Sequence, residues 1–157
     1  MMTSPDPLIA GDRIAIVAPA GKIPEETVLK AVEVFRNWGL KVVLGKHLFS
    51  NAFQYAANDD DRLFDLQRAL DDPSIKAVFC ARGGYGTIRI IDRLNFDRFR
   101  KAPKWIIGFS DITVIHAHLH VHLGTESIHG TMAAGMAGSG PGQEDLRSVL
   151  FGGPPEY

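Results

Sequence analysis

The sequence predicts an α/β domain with a mainly parallel sheet, and three observations carry that reading. Short, nearly continuous apolar runs, Ile14-Ala15-Ile16-Val17-Ala18, Ala77-Val78-Phe79-Cys80-Ala81 and Trp105-Ile106-Ile107, have the composition of strands buried on both faces. Between them, apolar residues recur every three or four positions, which is the helical period. Each strand passes onward through glycine, proline, serine or aspartate, the residues that make tight βα turns. Alternating strands and helices of this kind give a Rossmann-like (flavodoxin-like) three-layer domain, with helices on both faces of the sheet.

Taken in order, residues 1–10 read as a leader with no ties to the core. Gly11-Asp12 turns into a strand near 13–18, which Pro19-Ala20-Gly21 breaks. Pro24 with Glu25 and Glu26 opens a helix that carries Val28, Ala31, Val32 and Phe35 on one face and ends at Gly39. A second strand at 41–44 completes a right-handed βαβ unit. From Gly45 to Asn58 the periodicity fades, and a loop of that length is expected to be functional or mobile. Asn58 and Asp59 can cap a helix bearing Leu63, Leu66 and Leu70, stopped by Asp71-Asp72-Pro73. The acidic run Asp59-Asp60-Asp61 is accounted for by the dipole of that helix rather than by a metal.

A third strand near 75–80 enters Arg82-Gly83-Gly84-Tyr85-Gly86-Thr87, after which Ile88, Ile91 and Leu94 mark another helix. Arg98 to Lys104 reads as a solvated basic connection. The fourth strand, near 104–109, leads to Ser110. His116, His118, His120 and His122 then fall on a helix capped by Asp111 and ended by Gly124, as two i,i+4 pairs that lack a third zinc ligand. Thr125 to Gly130 is a last short strand, and Gly135 to Gly142 has the glycine content of a linker before a helical stretch around Leu146 and Leu150. The domain is therefore drawn at 11–140, with 141–157 as the start of a linker to a further C-terminal domain. Ile14, Ile16, Val42, Val78, Ile106 and Ile107 are the expected buried positions.

Composition narrows the function classes. The chain has 157 residues, enough for one core without disulfides. Its net charge is −1, which supplies no basic field for nucleic acid. No apolar run approaches a membrane span, the first residues lack a signal-peptide pattern, and one cysteine fits a reducing compartment, so a cytoplasmic protein is expected. That cysteine, Cys80, lies in an apolar strand and reads as an inert buried thiol.

The chemistry-bearing stretch is Lys104 to Thr113. Its strand feeds a turn, so Ser110 is presented at the carboxyl edge of the sheet, where α/β folds bind ligands. The first N–H groups of the following helix lack intrahelical partners and suit an oxyanion, Asp111 N–H being the nearest. Gly108-Phe109-Ser110-Asp111 is not the Gly-x-Ser-x-Gly elbow, and a bland reading in which Ser110 or Asp111 only caps a helix stays open. Gly83, Gly84 and Gly86 let backbone approach a ligand closely, although a tight turn alone would also select glycine. The dinucleotide spacing Gly-x-Gly-x-x-Gly is absent.

Four separated motifs nevertheless share an order. Gly11 to Ala20, Arg82-Gly83-Gly84-Tyr85-Gly86, Gly108-Phe109-Ser110-Asp111-Ile112-Thr113 and His129-Gly130-x-Met132 together resemble the N-terminal half of the LD-carboxypeptidases. That family includes muramoyltetrapeptide carboxypeptidases and microcin-C-type immunity peptidases. The resemblance runs over residues 8–150 and implies a serine peptidase, without cofactor or metal, that hydrolyses an L,D amide bond near the C-terminus of a murein tetrapeptide or related peptide. It matches Ser110 to the family's catalytic serine, and the backbone N–H groups of Asp111 and of Gly83 or Gly84 to its oxyanion hole. Arg82 and Tyr85 are expected to contact substrate.

Thr131 stands where the family usually has proline. The family takes the glutamate and histidine of its triad from a C-terminal domain, so the resemblance implies such a partner region and a chain inactive alone. His129 is the in-chain candidate for a base, a role the motif does not give it. An apolar face left near 130–157 is expected to favour a homodimer. The alternative function is a non-catalytic Rossmann-like binding or assembly module, whose glycine loop holds a peptide carboxylate or other anion.

Overall fold

The computed structural model describes residues 2–138 and 141–154; Met1, Ser139, Gly140 and 155–157, parts of the expected leader, linker and tail, lie outside them. The strands are β1 (Arg13–Val17), β2 (Lys41–Leu44), β3 (Ile75–Cys80), β4 (Trp105–Gly108) and β5 (Ile128–His129). They form one sheet in the order β2-β1-β3-β4-β5, with every pair parallel. The chain moves from β1 outward to β2, returns past β1 to β3, and continues to β4 and β5. Its direction reverses between β1 and β3, and in such sheets the crevice outside the carboxyl ends at that reversal is the ligand site.

Alternation along the strands divides the core in two. Ile14, Ile16, Ala77, Phe79, Trp105 and Ile107 face helix α1 (Glu25–Asn37) and helix α5 (Pro141–Leu150). Ala15, Val17, Val78, Cys80 and Ile106 face helix α2 (Asp59–Asp71), helix α3 (Asp97–Lys101) and helix α4 (Thr113–His118). Successive side chains leave a strand on opposite sides, so a strand covered on both sides must be apolar throughout. In α1, Val28, Ala31, Val32 and Phe35 are the buried residues, and the Phe35 ring sits 4.3 Å from that of Phe79. Gly39, at φ +82°, ends α1 with bonds from its own N–H to Arg36 and from Leu40 N–H to Phe35, a Schellman closure.

Several expectations change. Val42 is only half-buried, because β2 is an edge strand. Residues 2–10 are tied down: Leu8 is buried, Leu8 N–H donates to the Leu150 carbonyl, Thr3 exchanges backbone bonds with Gly124 and Glu126, and Trp105 Nε1 donates to the Asp6 carbonyl. The helical stretch expected around Leu146 and Leu150 is α5, but instead of standing in a linker it places both leucines in the same core as α1. The apolar face expected near 130–157 is not seen among the described residues, where Met132, Met136, Leu146 and Leu150 are all buried.

The helix expected from Ile88 is two 3₁₀ turns, Thr87–Arg89 and Ile91–Arg93, which bury Ile90 and Ile91 but leave Ile88 exposed. The basic connection is not simply solvated either, since it includes α3 with Phe99 buried. No helix among the described residues is long and apolar enough to cross a membrane.

Lys104 shows what that connection does. Its side chain is buried, and Nζ donates to the carbonyls of Ala69 at 3.0 Å and Asp72 at 2.6 Å, capping the end of α2. Burial pushes its pKa down to about 8, with Asp72 and Asp71 opposing the shift. The unfolded chain holds this proton to a higher pH than the folded one, so the burial penalty is full below pH 8 and fades as pH rises from there toward the unfolded value. Lys104→Met should therefore cost about 1–3 kcal/mol at pH 7 through the two lost bonds. Between pH 8 and the unfolded value, urea titrations should show the parent gaining about 2 kcal/mol relative to this variant. Parallel pH curves for the two proteins would contradict the assignment.

Candidate active site

Three chain segments converge at the carboxyl edge of the sheet. After β1, Gly21 N–H donates to the Gly83 carbonyl at 3.0 Å, and a Cβ on Gly21 would lie 2.6 Å from that oxygen. After β3, a Cβ on Gly83 would lie 2.9 Å from Ser110 Cβ and 3.1 Å from Ser110 Oγ. Backbone therefore packs directly against backbone and against the serine, at distances no side chain larger than hydrogen permits. Gly84 (φ +113°) and Gly86 (φ +134°) also hold left-handed backbone that glycine adopts without cost.

After β4, the chain folds straight back on itself, so that a Cβ on Gly108 would meet Ile112 at 2.9 Å. Ser110 sits at the apex, exposed, with φ +61°. A non-glycine residue there carries about 1–2 kcal/mol of backbone strain, which the surrounding structure must hold in place. Ser110–Ile112 is a 3₁₀ turn leading into α4, and Asp111 N–H lies in its first turn, ahead of any intrahelical acceptor. Neither Ser110 nor Asp111 caps the helix through its side chain. The Asp111 carboxylate instead accepts from Thr87 N–H at 2.9 Å, joining the serine turn to the end of the glycine loop.

A buried arginine that the sequence reading passed over holds the glycine loop from behind. Arg62 donates to the carbonyls of Ala57, at 3.1 Å, and Pro19, pairs with Asp59, and lies 5.0 Å from the Tyr55 ring centre. A Cβ on Gly86 would meet its Nη1 at 2.6 Å. Asp59 also receives Arg89, whose bond is the main reason its carboxyl titrates below the usual range, and Asp60 pairs with Arg93. Asp61 exchanges bonds with the N-cap Asn58. The acidic run is thus more than compensation for a helix dipole, because two of its carboxylates fasten α2 to the residues that follow the glycine loop. The available signal was one arginine placed i,i+3 after the first of these aspartates.

The other expected site residues divide. Arg82 is exposed and donates to the Lys22 carbonyl at 3.1 Å; Tyr85 is half-exposed, its ring 6.3 Å from Tyr55. His129 ends β5 in register with Gly108, exposed, its ring 6.0 Å from Phe109 and 6.2 Å from His116. The histidine pairs differ: His116 bonds Gly108 and Ser127, whereas the His118 ring lies 4.7 Å from that of His122 and stacks on Phe96 at the same distance, and no third metal-ligating side chain joins them among the described residues. Burial pushes the Cys80 thiol up to about 12, leaving no thiolate at neutral pH. The 45–58 loop is anchored, with Leu48 buried and Ala56 N–H on the Ala20 carbonyl, but it raises Phe53 (φ +59°) fully into solvent.

Comparison with known proteins gives a consistent picture. A family model described as the LD-carboxypeptidase N-terminal domain matches residues 14–130. A Streptomyces coelicolor protein named as a candidate carboxypeptidase is 43% identical over 156 residues, 96% of this chain and 50% of its own length. The murein tetrapeptide carboxypeptidase of Pseudomonas aeruginosa is 37% identical over 125 residues, 79% of this chain and 40% of its own. The crystal structure of muramoyltetrapeptide carboxypeptidase from Oxalobacter formigenes superposes with a TM-score of 0.78 at 30% identity, over 87% of this chain and 47% of that one. The chain thus spans about half the length of the relatives it matches.

The loop geometry makes a stability prediction. Gly86→Ala meets both a left-handed φ and Arg62, and should cost about 3 kcal/mol or more. Gly124→Ala, at φ +60° in open space, should cost only about 1 kcal/mol. Urea unfolding of the two variants separates them, and equal losses would mean that Arg62 does not brace the loop.

Proposed function

We propose a function on one premise: the chain belongs to the LD-carboxypeptidase family, whose N-terminal domain matches it over residues 14–130. It carries the nucleophile-bearing half of a serine carboxypeptidase that hydrolyses an L,D amide bond near the C-terminus of a murein tetrapeptide or related peptide. The observation that carries this reading is the placement of Ser110, exposed at φ +61° with its Oγ against the backbone of Gly83.

Each group then has a role. Ser110 Oγ attacks the scissile carbonyl. Asp111 N–H and an N–H of Gly83 or Gly84 donate to the oxyanion, a contribution of about 3 kcal/mol per donor in acyl-transfer enzymes. Arg82 and Tyr85 stand at the rim, Arg82 offering a guanidinium to a peptide carboxylate. A serine hydroxyl at its ordinary pKa is a poor nucleophile and needs a base to take its proton. The half of the family proteins outside this match supplies that base, a histidine oriented by a glutamate. His116 does not serve, because both ring nitrogens are engaged elsewhere. A cytoplasmic setting rests on the single buried thiol.

Fluorophosphonate labelling tests the assignment in the catalytically competent protein, meaning this chain together with the region that supplies its base. Label should appear on Ser110, and Ser110→Ala should abolish both labelling and release of the terminal residue from an L,D-linked tetrapeptide. Unlabelled Ser110 together with full activity of Ser110→Ala would sink the mechanism. The 157-residue chain alone should turn over that tetrapeptide slower by several orders of magnitude, as triad enzymes do without base and acid. Comparable turnover would point to a base within this chain, His129 first.

A further inference from the structure

The turn that presents Ser110 is closed by a side chain six residues beyond it. His116, on α4, places Nε2 2.8 Å from the Gly108 carbonyl and Nδ1 2.8 Å from Ser127 Oγ. The same carbonyl accepts from Gly130 N–H at 3.2 Å. A carbonyl can only accept, so the proton of the neutral ring lies on Nε2, and Nδ1 accepts from the Ser127 hydroxyl. Burial holds the pKa of this imidazole below its ordinary value; the Gly108 carbonyl opposes that and the His129 ring adds to it.

These bonds bear on the strain at Ser110. A left-handed serine persists only where its surroundings over-determine it. On one side, the β4 ladder fixes the chain as far as Gly108, paired with His129. On the other, the Asp111 carboxylate holds Thr87 N–H. Between them, the bond from His116 to Gly108 ties α4 to the end of β4, so residues 108–116 form a closed loop of chain with Ser110 inside it. We propose that His116 is a positioning residue for the nucleophile, its Nε2–H donor closing this loop and holding Ser110 Oγ against Gly83. The inference rests on the reading of Ser110 as the nucleophile. His116 touches no reacting atom. Without its bond, Ser110 is free to relax toward ordinary backbone angles, and a displacement of Oγ of about 1 Å costs on the order of 100-fold in rate.

Two variants separate positioning from general damage. His116→Gln sets an amide N–H near the place of Nε2 and keeps the bond to Gly108; His116→Asn sets its amide near Nδ1 and loses that bond. In the catalytically competent protein, His116→Gln should stay within about threefold of the parent kcat, whereas His116→Asn should lose about 100-fold in kcat with little change in KM. Long-range ¹H–¹⁵N spectra of the unsubstituted protein should show the His116 proton on Nε2.

Equal losses in both variants, parent-like turnover of His116→Asn, or a proton on Nδ1 would overturn the proposal. If neither variant folds, Ser127→Ala replaces them. It frees the ring to tilt away from Gly108 and should lower kcat about fivefold, and no effect would overturn the proposal. Ser110→Ala is run alongside. Full turnover of that variant defeats the nucleophile reading itself, whereas its inactivity beside a fully active His116→Asn defeats only the positioning role.

Discussion

Close approach of backbone to backbone at the carboxyl ends of β1, β3 and β4 is the constraint on which the rest of the structure depends. The Gly83 carbonyl receives Gly21 N–H, and the Cα of Gly83 faces Ser110 at a distance that excludes even a methyl group. That approach follows from topology. Reversal of the strand order between β1 and β3, which stay parallel, opens a crevice, and β4, next to β3, delivers its own loop to the same edge. The glycines do not merely permit a turn, since they remove the side chains that would otherwise hold the loops apart.

Holding such loops still requires polar groups, because little apolar surface is available at a sheet edge. Arg62 answers this from beneath, with its guanidinium buried among the Pro19 and Ala57 carbonyls, the Asp59 carboxylate and the Tyr55 ring. A buried charge so paired is costly to disturb from either side, and removing one partner of such a pair typically costs about 3–5 kcal/mol. Asp111 and Thr87 join the serine turn to the far end of the glycine loop. The candidate site is thus a small polar frame built over two apolar cores, and the strain in Ser110 is sustained by that frame.

The sequence displayed the sheet and the glycine-and-serine edge clearly, for physical reasons that also set the limits of such a reading. Strands covered on both faces must be apolar throughout, so β1, β3 and β4 stand out, and the heptad-like spacing of Val28, Val32 and Phe35 marks α1. Terminal segments were harder to read, because what fixes residues 2–10 is a handful of backbone bonds and one buried leucine, with no periodicity to reveal them. The turns from Thr87 bury Ile90 and Ile91 and expose Ile88, in 3₁₀ geometry whose apolar spacing imitates a helical pattern over so short a stretch. Lys104, Arg62 and Asp111 look like surface charges in sequence, since a charged residue shows its partners only once the chain is folded. Motif order, by contrast, depends on no partner, and it pointed to the family that the comparisons then matched.

The central claim is that the serine turn and the glycine loop form one oxyanion pocket. A crystal structure of the catalytically competent protein carrying a phosphonate on Ser110 Oγ tests it most directly. The account predicts the phosphoryl oxygen within about 2.7–3.1 Å of both Asp111 N and an N of Gly83 or Gly84. A phosphoryl oxygen turned to solvent, or held by groups outside these two loops, would contradict it.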